Sequence, residues 1–392
     1  MMITFDEAFI KIVGSACELG NEIVELSKAL NRVLAKNAFS DIDMPPFNKS
    51  AMDGFACRRE DLQNELTVIE TIPAGVDPQK NICENECSRI MTGAVVPNGA
   101  DCVIMFEYTE EKDGIVKFTG ENTSNNFCLK AEDIKNGDLV LKKSTLITPA
   151  VIAVLATIGY DKVNVALKPK VGIIATGSEL IEPSEKITGA KIRNSNGHQL
   201  CAQTIEMGAI ANYYGIAKDT HDAIDSAIKK AMNENNLVIL SGGVSMGDFD
   251  LVPEILKKNG FKFFFESVAM QPGRPTIFGK HEEKDIFCCG LPGNPVSTFI
   301  VFATLLKPFL LKLMGCSNEP AAIPLTLAKT IRRRKTIRQS SLPVKIENGN
   351  VFPIEYHGPA HINAMCFADG FIRIPVGITE LAEGTIVDVE LI

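Results

Sequence analysis

The chain has 392 residues, 45% hydrophobic and 22% charged, with no Trp; that length exceeds one ordinary core and requires about two to four domains. A net charge of −8 and a pI near 5.4 argue against a general nucleic-acid or anionic-membrane binder. A bound anion would therefore need local Lys or Arg, or a divalent cation as a bridge.

In chain order, the start MMITFDEAFIKIV carries charges within an amphipathic pattern, so no signal peptide is expected. Residues 5–38 are helical in pattern: Ala8, Ile12, Val13, then Ile23, Leu26, Leu30, Val33 and Leu34 recur at three and four. Residues 41–47 (DIDMPPF) break that pattern with a Pro-Pro boundary. From 48 to 141, short β-branched runs at 66–72, 101–106, 115–118 and 138–141 are punctuated by Asn98-Gly99, Asp113-Gly114 and Asn136-Gly137. This predicts a β-rich domain with tight turns. Helix returns at 148–160.

Strands and helices then alternate. Strands are expected at 170–175, 211–217, 237–240, 261–268, 276–278 and 286–289, with helices at 198–207, 221–233, 252–259 and 295–314. Such alternation marks an α/β layer with a mainly parallel sheet. The apolar stretches 149–159 and 296–306 are too short to span a bilayer and read as buried helices. Beyond Pro320 and Pro324 the tail is again β in character, at 325–331, 342–346, 371–375 and 386–391.

Two strand-to-loop transitions carry the most information. LVIL (237–240) runs into SGGVSMGDFD (241–250), and DIFCC (285–289) runs into GLPGNPVS (290–297). Buried parallel strands end at a ligand crevice, where glycines let backbone N–H groups approach a phosphate. Asn294 suits an N-cap and Pro295 the first helical position, so the next helix starts with free N–H groups that favour an anion. If the strands are parallel, Glu179, Asp219, Asp248, Asp250 and Arg274 all emerge on that one edge. They would offer hard oxygen ligands for magnesium, and an Arg and amides for a nucleotide phosphate. Each of these loops alone is more often a turn; their joint placement carries the reading.

Other features read as ordinary structure. Eleven scattered cysteines, several of them in apolar runs (Cys102, Cys288, Cys289), fit a reduced, cytoplasmic protein. Cys83 and Cys87 lack a second zinc half-site and read as thiols near a turn. His357 and His361 have metal-like spacing, but Gly358-Pro359 forbids a regular helix between them. Residues 332–335 (RRRK) read as a solvated strand end.

Eight segments in order resemble one family: NKSAMDGFA (48–56), RIMTGAVVPNGADCVI (89–104), AEDI (131–134), ATGSEL (175–180), IRNSN (192–196), SGGVSMGDFD (241–250), MQPGRP (270–275) and GLPGNPVS (290–297). The family is the molybdopterin molybdenumtransferases, which includes the C-terminal domain of gephyrin. The resemblance implies a multidomain fold: a mainly parallel α/β sheet domain of molybdopterin-binding type at 168–318, a β-rich domain at 41–141, a helical connecting domain from 1–40 and 142–167, and a C-terminal β-barrel-like domain at 319–392.

It also implies the reaction. Adenylylated molybdopterin and molybdate enter, AMP leaves, and molybdenum reaches the dithiolene sulfurs, with magnesium required. A cytoplasmic homodimer is implied, with other proteins of molybdenum cofactor biosynthesis as partners. Matched site positions are Asp53, Thr92 and Asp133 on the β domain and Glu179, Asp219 and Asp250 in the α/β cleft. Asp219 and Asp250 would hold the metal. Gly242, Gly243, Ser245 and Asn294 would line the nucleotide or its phosphates, and Arg274 and Ser297 would lie near the oxyanion or pterin phosphate.

The chain also departs from its apparent relatives. Many have Lys-Pro-Gly-Lys where Gln271-Pro272-Gly273-Arg274 stands here, and Gly and Asp where Ala131 and Ser178 stand. A non-catalytic scaffold of the same fold and a molybdopterin adenylyltransferase are the alternatives. The retained acidic residues oppose the first, and the extra β domain opposes the second.

Overall fold

The computed structural model describes residues 2–244, 250–316, 322–355, 358 and 360–392. Helix α1 (Phe5–Ser15) begins at a capping box in which the Glu7 N–H donates to the Thr4 hydroxyl and the Thr4 N–H donates to the Glu7 carboxylate. It buries Phe5, Ala8 and Ile12 against the α/β core. The helix expected to continue to residue 38 does not. Gly20 takes a left-handed φ of 103°, strand β1 (Asn21–Glu25) follows, and Leu26–Lys28 form one 3-10 turn. Ile23 is 69% exposed, so the apolar period did not mark one helical face.

The β-rich domain holds β2 (Gly54–Cys57), β3 (Glu65–Ile72), β4 (Glu86–Ile90), β5 (Cys102–Met105), β6 (Thr109–Lys112) and β7 (Ile115–Phe118). They form one sheet in the order β5-β2-β4-β3-β7-β6. The β6–β7 hairpin turns on Asp113 and Gly114, both at positive φ, as the Asp-Gly pair demands. Helix α2 (Pro149–Thr157) starts on the Thr148 hydroxyl, which accepts from the Val151 N–H. Strand β8 (Lys162–Ala166) pairs antiparallel with β1.

The α/β domain comprises β9 (Lys170–Thr176), β10 (Leu180–Ile181), β11 (Ile192–Arg193), α3 (Asn196–Glu206), β12 (Ile210–Ala217), α4 (His221–Met232), β13 (Leu237–Ser241), α5 (Val252–Lys258), β14 (Phe261–Phe265), β15 (Ile277–His281) and β16 (Phe287–Leu291). Its main sheet runs β12-β9-β13-β16-β15-β14. Only β15 runs against its neighbours. Strands β13 and β16 are buried at every residue, as expected with helices on both faces. The strand expected over 261–268 is broken: Ser267–Val268 leave the sheet and pair in parallel with Met2–Ile3.

The helix expected from Pro295 consists of α6 (Pro295–Val301), a π turn at Phe302–Leu306 and α7 (Lys307–Leu313). The π turn precedes Pro308, which has no N–H to continue the α ladder. Together they make a 19-residue, mainly apolar segment, long enough to cross a membrane, yet 72% buried in this fold. This is the central core helix.

Among the described residues of the tail, β17 (Ala322–Leu327), β18 (Gln339–Glu347), β19 (Asn350–Pro353), β20 (Gly370–Ile374) and β21 (Ile386–Leu391) close into a barrel. Its circuit is β18-β19-β17-β21-β20 and back to β18. Leu327, Val344, Val351, Ile372, Ile374 and Val389 fill it. The start of β18 also pairs in parallel with Met270–Gln271, anchoring the barrel at the edge where the parallel strands end.

Candidate functional site

The central strands β13 and β16 are buried and almost wholly apolar, so polar residues collect where the strands stop. A cavity of ≈ 610 Å³ lies along that edge, within the range of small-molecule sites. Gly177 and Glu179 line it after β9, Asp219 after β12, Gly242, Gly243 and Asp250 after β13, and Gly293 and Asn294 after β16. The backbone explains the glycines. Gly242 has φ 102°, and a Cβ there would lie 2.4 Å from the Thr176 carbonyl oxygen. Any side chain would push the loop off β9.

Three carboxylates face this cavity. Glu179 is exposed and folds back over Gly177. Asp219 is half-buried, and its carboxylate accepts from the Ser178 N–H. Asp250 is half-buried on the far side of the glycine loop. Among the described residues no three His, Cys, Asp or Glu side chains form a ready-made metal cluster. A hard cation that takes one or two protein carboxylates, with phosphate and water completing its shell, still fits this donor set.

Asn294 sits at the N-cap of α6 with Pro295 next, though its side chain makes no capping hydrogen bond. Ser297 is not part of the lining: it is buried in the first turn of α6 between Val296 and Thr298. Arg274 is exposed on the loop before β15; its neighbour Pro275 reaches the cavity. Ser245 and Asp248 lie outside the described residues.

Sequence reasoning gave no role to several lining residues, among them Ala360, Ile362, Arg193 and Asn196. Ala360 and Ile362 come from the barrel domain and close one side of the cavity. Arg193 and Asn196 come from β11 and the start of α3. Both lie in the IRNSN motif, which gave a signal without assigning roles.

The β-domain residues form a second locus. The Thr92 N–H and hydroxyl donate to Asp53 Oδ1 at 2.6 and 2.8 Å. Those bonds, the backbone one foremost, hold the Asp53 carboxyl below the usual range. Gly54 beside it is obligatory, because a Cβ there would sit 2.0 Å from the Ile104 carbonyl oxygen across the β2–β5 pair. Asp133 lines a separate surface depression with Lys49, Cys128 and Glu132. None of Asp53, Thr92 and Asp133 lines the α/β cavity of the same chain. All eleven cysteines are free thiols.

Three family models match in succession. They are the MoeA N-terminal region (domain I and II) over residues 3–159, the probable molybdopterin binding domain over 172–312, and the MoeA C-terminal region (domain IV) over 326–392. The molybdopterin molybdenumtransferase of Staphylococcus epidermidis is 38% identical, with 99% of this chain and 95% of that protein aligned. Its Staphylococcus aureus counterpart is 36% identical at the same coverage. The crystal structure of the molybdopterin biosynthesis moeA protein from Pyrococcus horikoshii OT3 matches over 100% of both chains, with a TM-score of 0.85 at 30% identity.

Proposed function

We propose, for a chain that belongs to the molybdopterin molybdenumtransferase (MoeA) family and is therefore a transferase of molybdenum cofactor biosynthesis acting on molybdopterin, that the cavity at the sheet edge takes molybdopterin in its adenylylated form. Molybdate is the second substrate. Water cleaves the phosphoanhydride, releasing AMP and leaving the pterin phosphate; two Mo–S bonds then form as the dithiolene sulfurs displace molybdate oxygen, which leaves as water with the thiol protons, without change of oxidation state.

The observation that carries this reading is the convergence of Glu179, Asp219 and Asp250 with Gly242, Gly243 and the start of α6 on one cavity. The amides of the glycine loop and of the helix start would bind phosphate oxygens. Asp219 and Asp250 would hold a magnesium ion, which when bound neutralises charge on the anhydride. Glu179 would orient the attacking water by accepting its hydrogen bond. Arg274, on the next loop of the same edge, would meet the oxyanion. Arg gives a planar, two-point contact there, while Gln271 supplies no charge.

We place Asp53, Thr92 and Asp133 at the cavity of a second copy of the chain in a homodimer. Their own chain's cavity does not include them, and the family resemblance implies a cleft shared between the α/β domain of one subunit and the β domain of the other. The free thiols support a cytoplasmic setting.

The test is AMP release from adenylylated molybdopterin with molybdate and magnesium. Magnesium-dependent release, lost in Asp250→Ala, is expected. No release by the intact protein would overturn the reading in favour of a scaffold. Full release by Asp250→Ala would remove only the metal role.

A further inference from the structure

The two loops that offer amides to a phosphate leave neighbouring strands, β13 and β16, and one backbone hydrogen bond joins them directly, from the Gly242 N–H to the Leu291 carbonyl at 3.0 Å. Beyond it each loop turns into the cavity. Two side chains span them there: the Ser241 hydroxyl donates to the Pro292 carbonyl at 3.5 Å, and Asn196 reaches both loops from α3. Asn196 Nδ2 donates to Ser241 Oγ at 2.8 Å and to the Gly293 carbonyl at 2.8 Å. A carbonyl can only accept, so this bond fixes which end of the amide faces the loops. Asn196 Oδ1 is buried and meets no donor among the described residues, so the two donors are the engaged end of the group.

Asn196 is also held from behind. It opens α3, where the next N–H, of Gly197, donates to Asn194 Oδ1 at 3.0 Å. Asn194 Nδ2 donates to the Tyr213 hydroxyl, which donates to Glu182, each at 2.6 Å. Gly197 permits this packing: a Cβ there would meet Asn194 and the Tyr213 ring at 2.8 Å. The start of α3 is thus a fixed post rather than a swinging arm.

We infer that Asn196 is a positioning residue for the phosphoanhydride-bearing substrate: its amide sets the gap between the glycine loop and the loop that opens α6, and so the spacing of the amides that grip the phosphates. This rests on the reading of the cavity as the adenylylated-substrate site.

Two variants test it. Asn196→Asp keeps the shape and replaces both donors with acceptors; Asn196→Ala removes the bridge. For both, KM for adenylylated molybdopterin and the Kd for AMP should rise about tenfold or more, with kcat within about threefold. Lowering the pH protonates the introduced carboxyl, which can then donate to Gly293. The Asn196→Asp variant should therefore regain AMP affinity relative to wild type as pH falls toward the carboxyl's ordinary value of about 4, while Asn196→Ala should not. A role in packing alone would show no such acid rescue.

Wild-type AMP affinity in a folded Asn196→Asp variant, judged by circular dichroism, overturns the inference. If that variant fails to fold, Asn196→Ser, which keeps one donor, takes its place and must bind AMP at an intermediate strength; affinity equal to wild type overturns it again. A wild-type enzyme that releases no AMP fails the functional reading and this inference with it. An active wild type with unaltered variants fails this inference alone.

Discussion

Ser178 and Asp219 exchange hydrogen bonds between two strand ends. The Ser178 N–H donates to Asp219 Oδ2 at 2.7 Å, and the Asp219 N–H donates to Ser178 Oγ at 3.1 Å. The loops after β9 and β12 are thereby tied, and the carboxylate is aimed before any ligand arrives. Ser178 supplies a hydroxyl acceptor to the Asp219 N–H without adding another charge beside Asp219.

Asp219→Asn keeps the acceptor for the Ser178 N–H and removes the charge. Folding stability should change by less than about 1 kcal/mol, while the magnesium concentration giving half-maximal AMP release should rise about tenfold. A titration of rate against magnesium that superimposes on wild type would exclude Asp219 as a ligand.

Asp53 and Asp250 should belong to one composite site contributed by two subunits. Asp53→Ala and Asp250→Ala should each be inactive. Co-refolded in equal amounts, they should recover about a quarter of wild-type activity, because about half of randomly assorted dimers are mixed and each has one intact site. A mixture as inactive as its components would put both residues in one subunit's site or show that subunits do not exchange residues at the cavity.

The Thr92 donors depress the Asp53 carboxyl. Such a group stabilises the fold above its unfolded value of about 3.9, and that contribution is lost as pH falls through the lower folded value. The loss therefore falls below about pH 4, and at neutral pH the contribution is present in full. Thr92→Val removes the hydroxyl donor and keeps the N–H, so the Asp53 midpoint, followed by carboxyl carbon NMR, should rise partway toward the ordinary value. An unmoved midpoint would leave the backbone amide as the sole cause.

Ala131 stands at φ 61°, in the left-handed region that favours Gly. A Cβ is unfavourable there. Ala131→Gly should stabilise the protein by about 0.5–1 kcal/mol after the greater freedom of Gly in the unfolded chain is offset. Denaturant unfolding checks this, and a lower midpoint would contradict it.

What the sequence made legible follows the physics of each segment. Strands β13 and β16 were readable because burial on both faces demands unbroken apolar runs. Glu179 and Asp219 were readable because each follows a strand end closely, and Asp250 because it closes the glycine-rich loop after β13. Residues 21–36 misled because Val24 and Leu26 pack into one cluster while Ile23 and Leu30 face solvent, which mimics a helical period. Strand β19 was overlooked although Asn348-Gly349, both at positive φ, announce the hairpin before it. Ser297 was misplaced because polarity does not reveal which side of a first turn points inward. No local pattern could have supplied Ala360 or Ile362, whose position depends on how a distant domain folds over the edge.

Residues 267–271 receive a pairing partner from each end of the chain: Met2–Ile3 on Ser267–Val268, and Gln339–Ser340 on Met270–Gln271. During synthesis the first partner is waiting when this strap emerges from the ribosome, and the second is not yet made. Arg274 and the cavity's rim therefore acquire their final support only after about seventy further residues have been translated. A nascent chain halted at the end of the α/β domain would carry an open, unbraced rim, and loss of either Met2–Ile3 or the barrel strand at Gln339 would loosen the same short strap.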